Sequence, residues 1–270
     1  MSLLEVAGLS IHAPDGRPLV RDLSFSVEAG DRLGLIGESG SGKSLTSLAI
    51  MGLLPPGMTA SGRVVLDAPG LPRTDVIGAP SRRLNQLRGP AASVVFQEPL
   101  TALDPLMRVG RQVAEPLRRW RGLRGAALRE AVLAALSEVR LDEPERISRA
   151  YPHEISGGQR QRVAIAMALA CQPALLIADE PTTALDVSVQ AEVLSLLAGL
   201  ILARGMSLLF ITHDLAVVAS VTDRVLVLRD GAEVESGTVR DIVTAPRDPY
   251  TRDLVDSARA FDEALPGRRS

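Results

Sequence analysis

A chain of 270 residues with 46% apolar composition can bury the core of one large domain or two small ones. Its 30 basic and 32 acidic residues leave a formal charge of −2, which excludes any global electrostatic pull toward nucleic acid or anionic lipid. A single cysteine, Cys171, excludes an internal disulfide framework or a cysteine-rich metal site and reads as usage in a reducing, cytoplasmic compartment.

Taken in chain order, the segments "LLEVAGLSI" at 3–11, "LSFSVEAGD" at 23–31 and "GRVVLDAPG" at 62–70 read as short alternating strands joined by turns. They predict a small antiparallel β subdomain. A strand is expected at 33–36, a helix at 43–54 and a strand at 93–96. From 98 to 155 the chain is rich in Arg and Ala and broken by Pro99, Pro105, Pro116 and Pro144, which predicts an inserted α-helical subdomain with a helix over 126–140. Beyond it come a helix at 158–169, a strand at 175–178, a helix at 187–204 and strands at 208–212 and 224–228. This alternation predicts an α/β fold with a mainly parallel core sheet. The tail after Pro246 is expected to be partly helical and then frayed. The N-terminal "MSLLEVAGLS" contains Glu5 and no basic region, so it does not read as a signal peptide. The apolar run at 193–203 falls short of the roughly 18 residues that span a bilayer, so any membrane association is expected to go through a partner.

The segment Gly37-Glu38-Ser39-Gly40-Ser41-Gly42-Lys43-Ser44 fits the phosphate-loop pattern G-x-x-x-x-G-K-[ST] in full, with a strand before it and a helix after it. Glycines there let successive backbone N–H groups turn toward phosphate oxygens, and the helix N-terminus adds the positive end of its dipole. Lys43 would reach the β- and γ-phosphates and Ser44 would offer its hydroxyl to Mg²⁺. Of 30 basic residues 29 are Arg, and the one Lys occupies the slot that needs a compact point charge rather than a guanidinium fork.

In open parallel sheets ligands bind beyond the carboxyl ends of the strands. Three further predicted strands end there on polar chemistry: Gln97 after "SVVF", Asp179 and Glu180 after "LLIA", and His213 after "LLFIT". Asp179 suits an indirect Mg²⁺ carboxylate. Glu180 suits a residue that orients or deprotonates the attacking water. Gln97 is a candidate contact to Mg²⁺ or that water, and His213 to the γ-phosphate. Each residue type alone is ordinary at a strand end; their order behind a complete phosphate loop makes the site. A second anion-ready turn, Ser156-Gly157-Gly158-Gln159, opens the helix at 158–169. His12 and His153 have no partner cluster in the sequence and read as surface or local structural residues. Trp120 reads as a cover for apolar surface of the insertion, or as a docking anchor.

These residues together resemble the ATP-binding-cassette ATPases. "ISGGQ" at 155–159 is similar to that family's signature, "LLIADEP" to its second nucleotide motif, "ALD" at 184–186 to its D-loop and "ITHD" to its switch histidine. "FQEPLTALDPLMRVGRQVAEPL" at 96–117, "SLTSLAIMGLLP" and "APRDPYTRDLV" resemble the oligopeptide, dipeptide and nickel importers. The resemblance implies a phosphate-loop NTPase fold with one cassette over 1–245, made of a nucleotide-binding core at 1–97 and 156–245 and a helical subdomain at 98–155, followed by a tail at 246–270. It implies ATP and Mg²⁺ as ligands, Glu180 and His213 as catalytic residues, and Ser44, Gln97 and Asp179 around the metal. It further implies that Ser156, Gly157 and Gly158 cap nucleotide held by a facing second ATPase subunit, and that Gln159 and Asp186 are nucleotide-binding residues. The implied partners are that subunit, two membrane permeases and, indirectly, a solute-binding protein, with the chain at the cytoplasmic face of the cell membrane.

Three positions depart from the family pattern. Ile155 stands for the commoner Leu at the head of the signature, a change that a buried aliphatic site tolerates. Ala13 lies near the usual adenine-stacking aromatic, with His12 as the candidate substitute. With only Cys171 the chain cannot build the iron–sulfur site that many peptide-type members carry. A soluble superfamily ATPase is disfavoured by the single set of motifs, and a weakly hydrolysing regulatory partner by the intact Glu180 and His213.

Overall fold

The computed structural model describes residues 2–96, 103–183 and 186–264. They divide into two compact units, one of Leu66–Thr74 and Ala79–Leu208, the other of Ser2–Val65, Asp75–Gly78 and the chain from Leu209 on.

The second unit opens with β1 (Ser2–His12) and β2 (Pro18–Glu28), paired antiparallel from Ser2 opposite Glu28 to His12 opposite Pro18. Each runs 11 residues, longer than the short strands expected. The buried positions of β1 pass from Leu4 and Val6 to Leu9 and Ile11, a change of phase from even to odd. A register shift between Val6 and Leu9 absorbs it, with Gly8 at φ +61° donating its N–H to Ser24 Oγ. With β4 (Thr59–Leu66) and β5 (Thr74–Asp75) the sheet order is β2-β1-β4-β5.

Four further strands order as β10-β9-β3-β8: β3 (Arg32–Ile36), β8 (Ser207–Thr212), of which 209–212 lie in this unit, β9 (Arg224–Arg229) and β10 (Ala232–Thr238). β3 and β9 are parallel, Leu33 opposite Arg224 and Ile36 opposite Val227, whereas β10 returns antiparallel on β9. Continuous apolar runs such as "LLFI" suit strands buried on both faces, and Leu35 and Phe210 are fully buried. Helix α1 (Lys43–Ile50) stops four residues before the predicted end. Gly52 adopts φ +61° and the Leu53 N–H returns to Leu48 O at 2.8 Å, a C-terminal closure that only the backbone reveals. The unit also holds α8 (Leu215–Val221), α9 (Val239–Thr244) and α10 (Pro249–Ala264).

The first unit contains α2 (Ser81–Leu87), β6 (Ala92–Val95), α3 (Val109–Arg121), α4 (Gly125–Glu138), α5 (Pro144–Arg149), α6 (Gly157–Leu169), β7 (Leu175–Asp179) and α7 (Val187–Arg204). β6 and β7 pair in parallel from Ala92 opposite Leu175 to Val95 opposite Ala178. Two of the four predicted breaks behave otherwise. Pro116 lies inside α3, and Pro144 starts α5 at a position where a missing N–H is harmless. α3 survives Pro116 because Val109, Val113 and Leu117 form a buried stripe at helical spacing, with Arg118, Arg119 and Arg121 at its C-terminal, negative dipole end. Leu117, Leu136 and Ile147, one from each of α3, α4 and α5, are at most 1% exposed. Burial at that level contributes roughly 1.5–3 kcal/mol per side chain. Trp120 packs where a Cβ on Gly89 would meet its Nε1 at 2.6 Å, with the Arg119 guanidinium over its ring, so it covers the β6 entry beside Cys171.

Candidate nucleotide site

β3 ends at Ile36 and the chain turns through Gly37, Gly40 and Gly42 at φ +153°, +83° and +99°. Gly37 and Gly42 are also confined in space. A Cβ at Gly37 would lie 2.1 Å from Leu228 O, and one at Gly42 would lie 3.0 Å from Leu19 O. Gly42, at the N-cap of α1, places no side chain over the first turn, which suits the approach of an anion to the helix N-terminus. Lys43 is 4% exposed; its Nζ donates to Gly37 O and Glu38 O, both at 2.7 Å, and to Ser41 Oγ at 3.4 Å. An ammonium buried among the carbonyls of its own loop lies where phosphate oxygens would compete for it. Glu38, Ser39, Gly40 and Ser44 are exposed. In the same unit His213 is exposed at the end of β8, and the next residue, Asp214, caps α8 through the N–H groups of Ala216 and Val217.

The first unit holds the carboxylates. Asp179, 5% exposed, ends β7, and Glu180 follows at φ +47°, a backbone conformation that non-glycine residues seldom adopt. Its Oε2 accepts the Thr183 hydroxyl at 2.9 Å. Thr183 carries no motif of its own in the sequence, where it is the second of two threonines after Pro181.

The second turn also lies in this unit. Ser156 Oγ accepts the Gln159 N–H at 3.2 Å, while Gln159 Oε1 accepts the Ser156 N–H at 3.0 Å. This reciprocal capping box leaves the Gly157 and Gly158 N–H groups outside it. A Cβ at Gly158 would meet Val189 Cγ1 at 2.7 Å, so a side chain there would force the Val189 side chain on α7 to shift. A cavity of about 350 Å³ brings Ser156, Gly157, Gly158 and Gln159 together with Asp186 and Arg162. Arg162 pairs with Glu192 at 2.8 Å. Ile155 is 5% exposed, a buried aliphatic site as expected for the Leu-to-Ile change. Gln97 and residues 184 and 185 of the D-loop segment lie outside the described residues. His12 ends β1 and is half-buried beside the Ala13 turn; His153 stacks on Tyr151, centroids 5.6 Å apart.

Residues 20–183 match the sequence model of the ABC transporter family, more than half of the chain. The chain belongs to the ABC transporter family. Among relatives of this ABC transporter chain, the peptidoglycan transport ATP-binding protein YejF of Agrobacterium fabrum is 47% identical over 258 residues, covering 94% of this chain and 46% of YejF. The chain thus spans about half the length of that relative. The dipeptide transport ATP-binding protein DppD of Haemophilus influenzae is 44% identical over 266 residues, covering 97% of this chain and 79% of DppD. Its fold is that of ABC cassettes: the ATP-binding cassette MJ0796, solved as a dimer in a post-hydrolysis state bound to ADP and Pi, superposes with a TM-score of 0.76 at 27% identity, over 88% of this chain and 99% of that one. Among the described residues no helix is long and apolar enough to cross a membrane.

Proposed function

We propose that this chain is the ATP-binding and ATP-hydrolysing subunit of an ABC importer for peptides or peptide-like solutes, working through separate membrane permeases at the cytoplasmic face of the cell membrane. The observation that carries the reading is the buried Lys43 ammonium, held on the carbonyls of a complete glycine phosphate loop at the N-terminus of α1. The relatives' names favour a peptide-like cargo over nickel.

The roles follow from the residues. The loop N–H groups and Lys43 bind the phosphates. Ser44, Asp179 and Gln97 are each of a type that offers Mg²⁺ the oxygen donor it prefers, and they are the residues that would hold it. Mg²⁺, when bound, would neutralise the charge that develops on the phosphate oxygens. Glu180, held by Thr183, orients the attacking water and accepts its proton. His213 contacts the γ-phosphate. Gly157 and Gly158, with Ser156, Gln159 and Asp186, act on ATP held by a second ATPase subunit, identical or paralogous, which fits the dimeric state of the similar MJ0796 cassette. One cassette over 1–245 with a tail at 246–270 remains the domain division we favour, and a solute-binding protein the indirect partner.

The test is reconstitution with membrane permeases in proteoliposomes. ATP-dependent uptake of a di- or oligopeptide, abolished by Lys43→Ala, supports the reading; ATP-driven uptake of nickel without peptide uptake overturns the cargo. Gly157→Asp separates the two turns. It should leave ATP binding by the isolated chain intact and remove dimer-dependent hydrolysis, and loss of ATP binding by the monomer would contradict the role across a subunit interface.

A further inference from the structure

Tyr250 belongs to none of the nucleotide motifs, yet it is 5% exposed and its hydroxyl accepts the Glu38 N–H at 2.9 Å. Glu38 is the second residue of the phosphate loop, and its carbonyl accepts Lys43 Nζ. One residue of the loop is therefore gripped by Tyr250 on its N–H side and by Lys43 on its carbonyl side.

The tyrosine is fixed in turn by its neighbours, all in the second unit. Asp248 Oδ1 accepts the Tyr250 N–H at 2.8 Å at the start of α10. The Glu235 carboxylate on β10 accepts the N–H groups of Arg247 at 2.9 Å and Asp248 at 3.0 Å, which ties the turn before α10 to the sheet. The Arg229 guanidinium, at the end of β9, lies 4.9 Å from the centroid of the Tyr250 ring. Burial alone would push the Glu235 carboxyl up; the two N–H groups and Thr251 and Arg247 outweigh it and hold it below its ordinary value, so the anchor is charged at neutral pH.

We infer that Tyr250 is a positioning residue for the phosphate loop: through the Glu38 N–H it holds the loop entry in the conformation that receives phosphates, so that the segment from Glu235 to Tyr250 sets nucleotide affinity. The inference rests on the reading of this loop as the ATP site. Its physical basis is the freedom of the loop. Three glycines at positive φ are entropically costly to order, and a contact that orders them beforehand lowers the cost of binding. A phenol suits the task, because its ring is rigid and its oxygen accepts the N–H without adding charge beside the phosphates.

This bond touches the loop and not the reacting atoms, so its loss should act on affinity rather than on chemistry. The experiment measures ATP binding, steady-state KM and kcat, and ligand-free thermal unfolding for the full chain and for Tyr250→Phe, Glu235→Gln and Lys43→Ala. Phenylalanine keeps the ring and its packing and removes only the acceptor. The expected result is a rise of about three- to tenfold in Kd and KM for Tyr250→Phe with kcat changed by less than about twofold, and a smaller rise in Glu235→Gln. If Tyr250→Phe loses its fold, Glu235→Gln, which retains the hydroxyl, decides by the same readout. Unchanged KM in a folded Tyr250→Phe, or a fall in kcat at constant KM, overturns the inference while the ATP site stands, provided Lys43→Ala abolishes binding. Binding retained by Lys43→Ala would instead overturn the ATP-site reading itself.

Discussion

Glu180 holds its carboxylate by two unusual means, a left-handed backbone and the hydroxyl of Thr183. A group fixed in this way loses little freedom when it orients a water, and removing its basicity should cost the chemistry while sparing the ligand. Glu180→Gln is expected to keep ATP binding and lower hydrolysis by at least about 100-fold in a single-turnover assay, since general-base catalysis contributes on that order. Cys171 supplies a second check at this scale. Burial pushes its thiol up to about 11, against the smaller opposing effects of Ser93 and Arg119. Maleimide labelling at pH 8 should therefore be at least about tenfold slower in the folded chain than in urea, and equal rates would show that the β6 entry under Trp120 is open. The positions of Lys43, Asp179, Glu180 and His213 at a helix start or a strand end were legible from the apolar runs and the glycine loop that precede them. Thr183 and Tyr250 were not. Neither belongs to a nucleotide motif, and Tyr250 meets Glu38 across 212 positions of chain, a separation at which periodicity carries no information.

At the scale of single elements, two local devices carry measurable stability. Ser156→Ala removes the oxygen that accepts the Gln159 N–H at the start of α6, and should lower unfolding stability by about 1 kcal/mol in urea. Glu235 ties β10 to the turn before α10. Its folded-state value lies below the ordinary 4.5, so the stability it adds is fully present above that pH and is lost as the pH falls through the lowered value. The stability difference between wild type and Glu235→Gln should accordingly shrink as the pH falls below 4.5, and a gap that widened there would reverse the assigned sign. The strands β3, β7 and β8 and the helices α6 and α7 were legible from buried runs and helical spacing, to within two residues at their ends. β1 was harder to read because its bulge at Gly8 reverses the alternation, and α3 because Pro116 argues against a helix that its buried stripe stabilises.

For the whole molecule, the α/β class followed from strand and helix order, whereas the division into two units did not, because it interleaves short segments such as Asp75–Gly78 with the longer ones. The phosphate loop lies in one unit and the Ser156 turn in the other. The central claim is that the loop at 37–44 binds ATP. It is tested most directly by equilibrium titration of the purified chain with Mg-ATP, in wild type and Lys43→Ala. The account predicts saturable binding of one ATP per wild-type chain and none in Lys43→Ala; equal binding by both, or none by wild type, would contradict it.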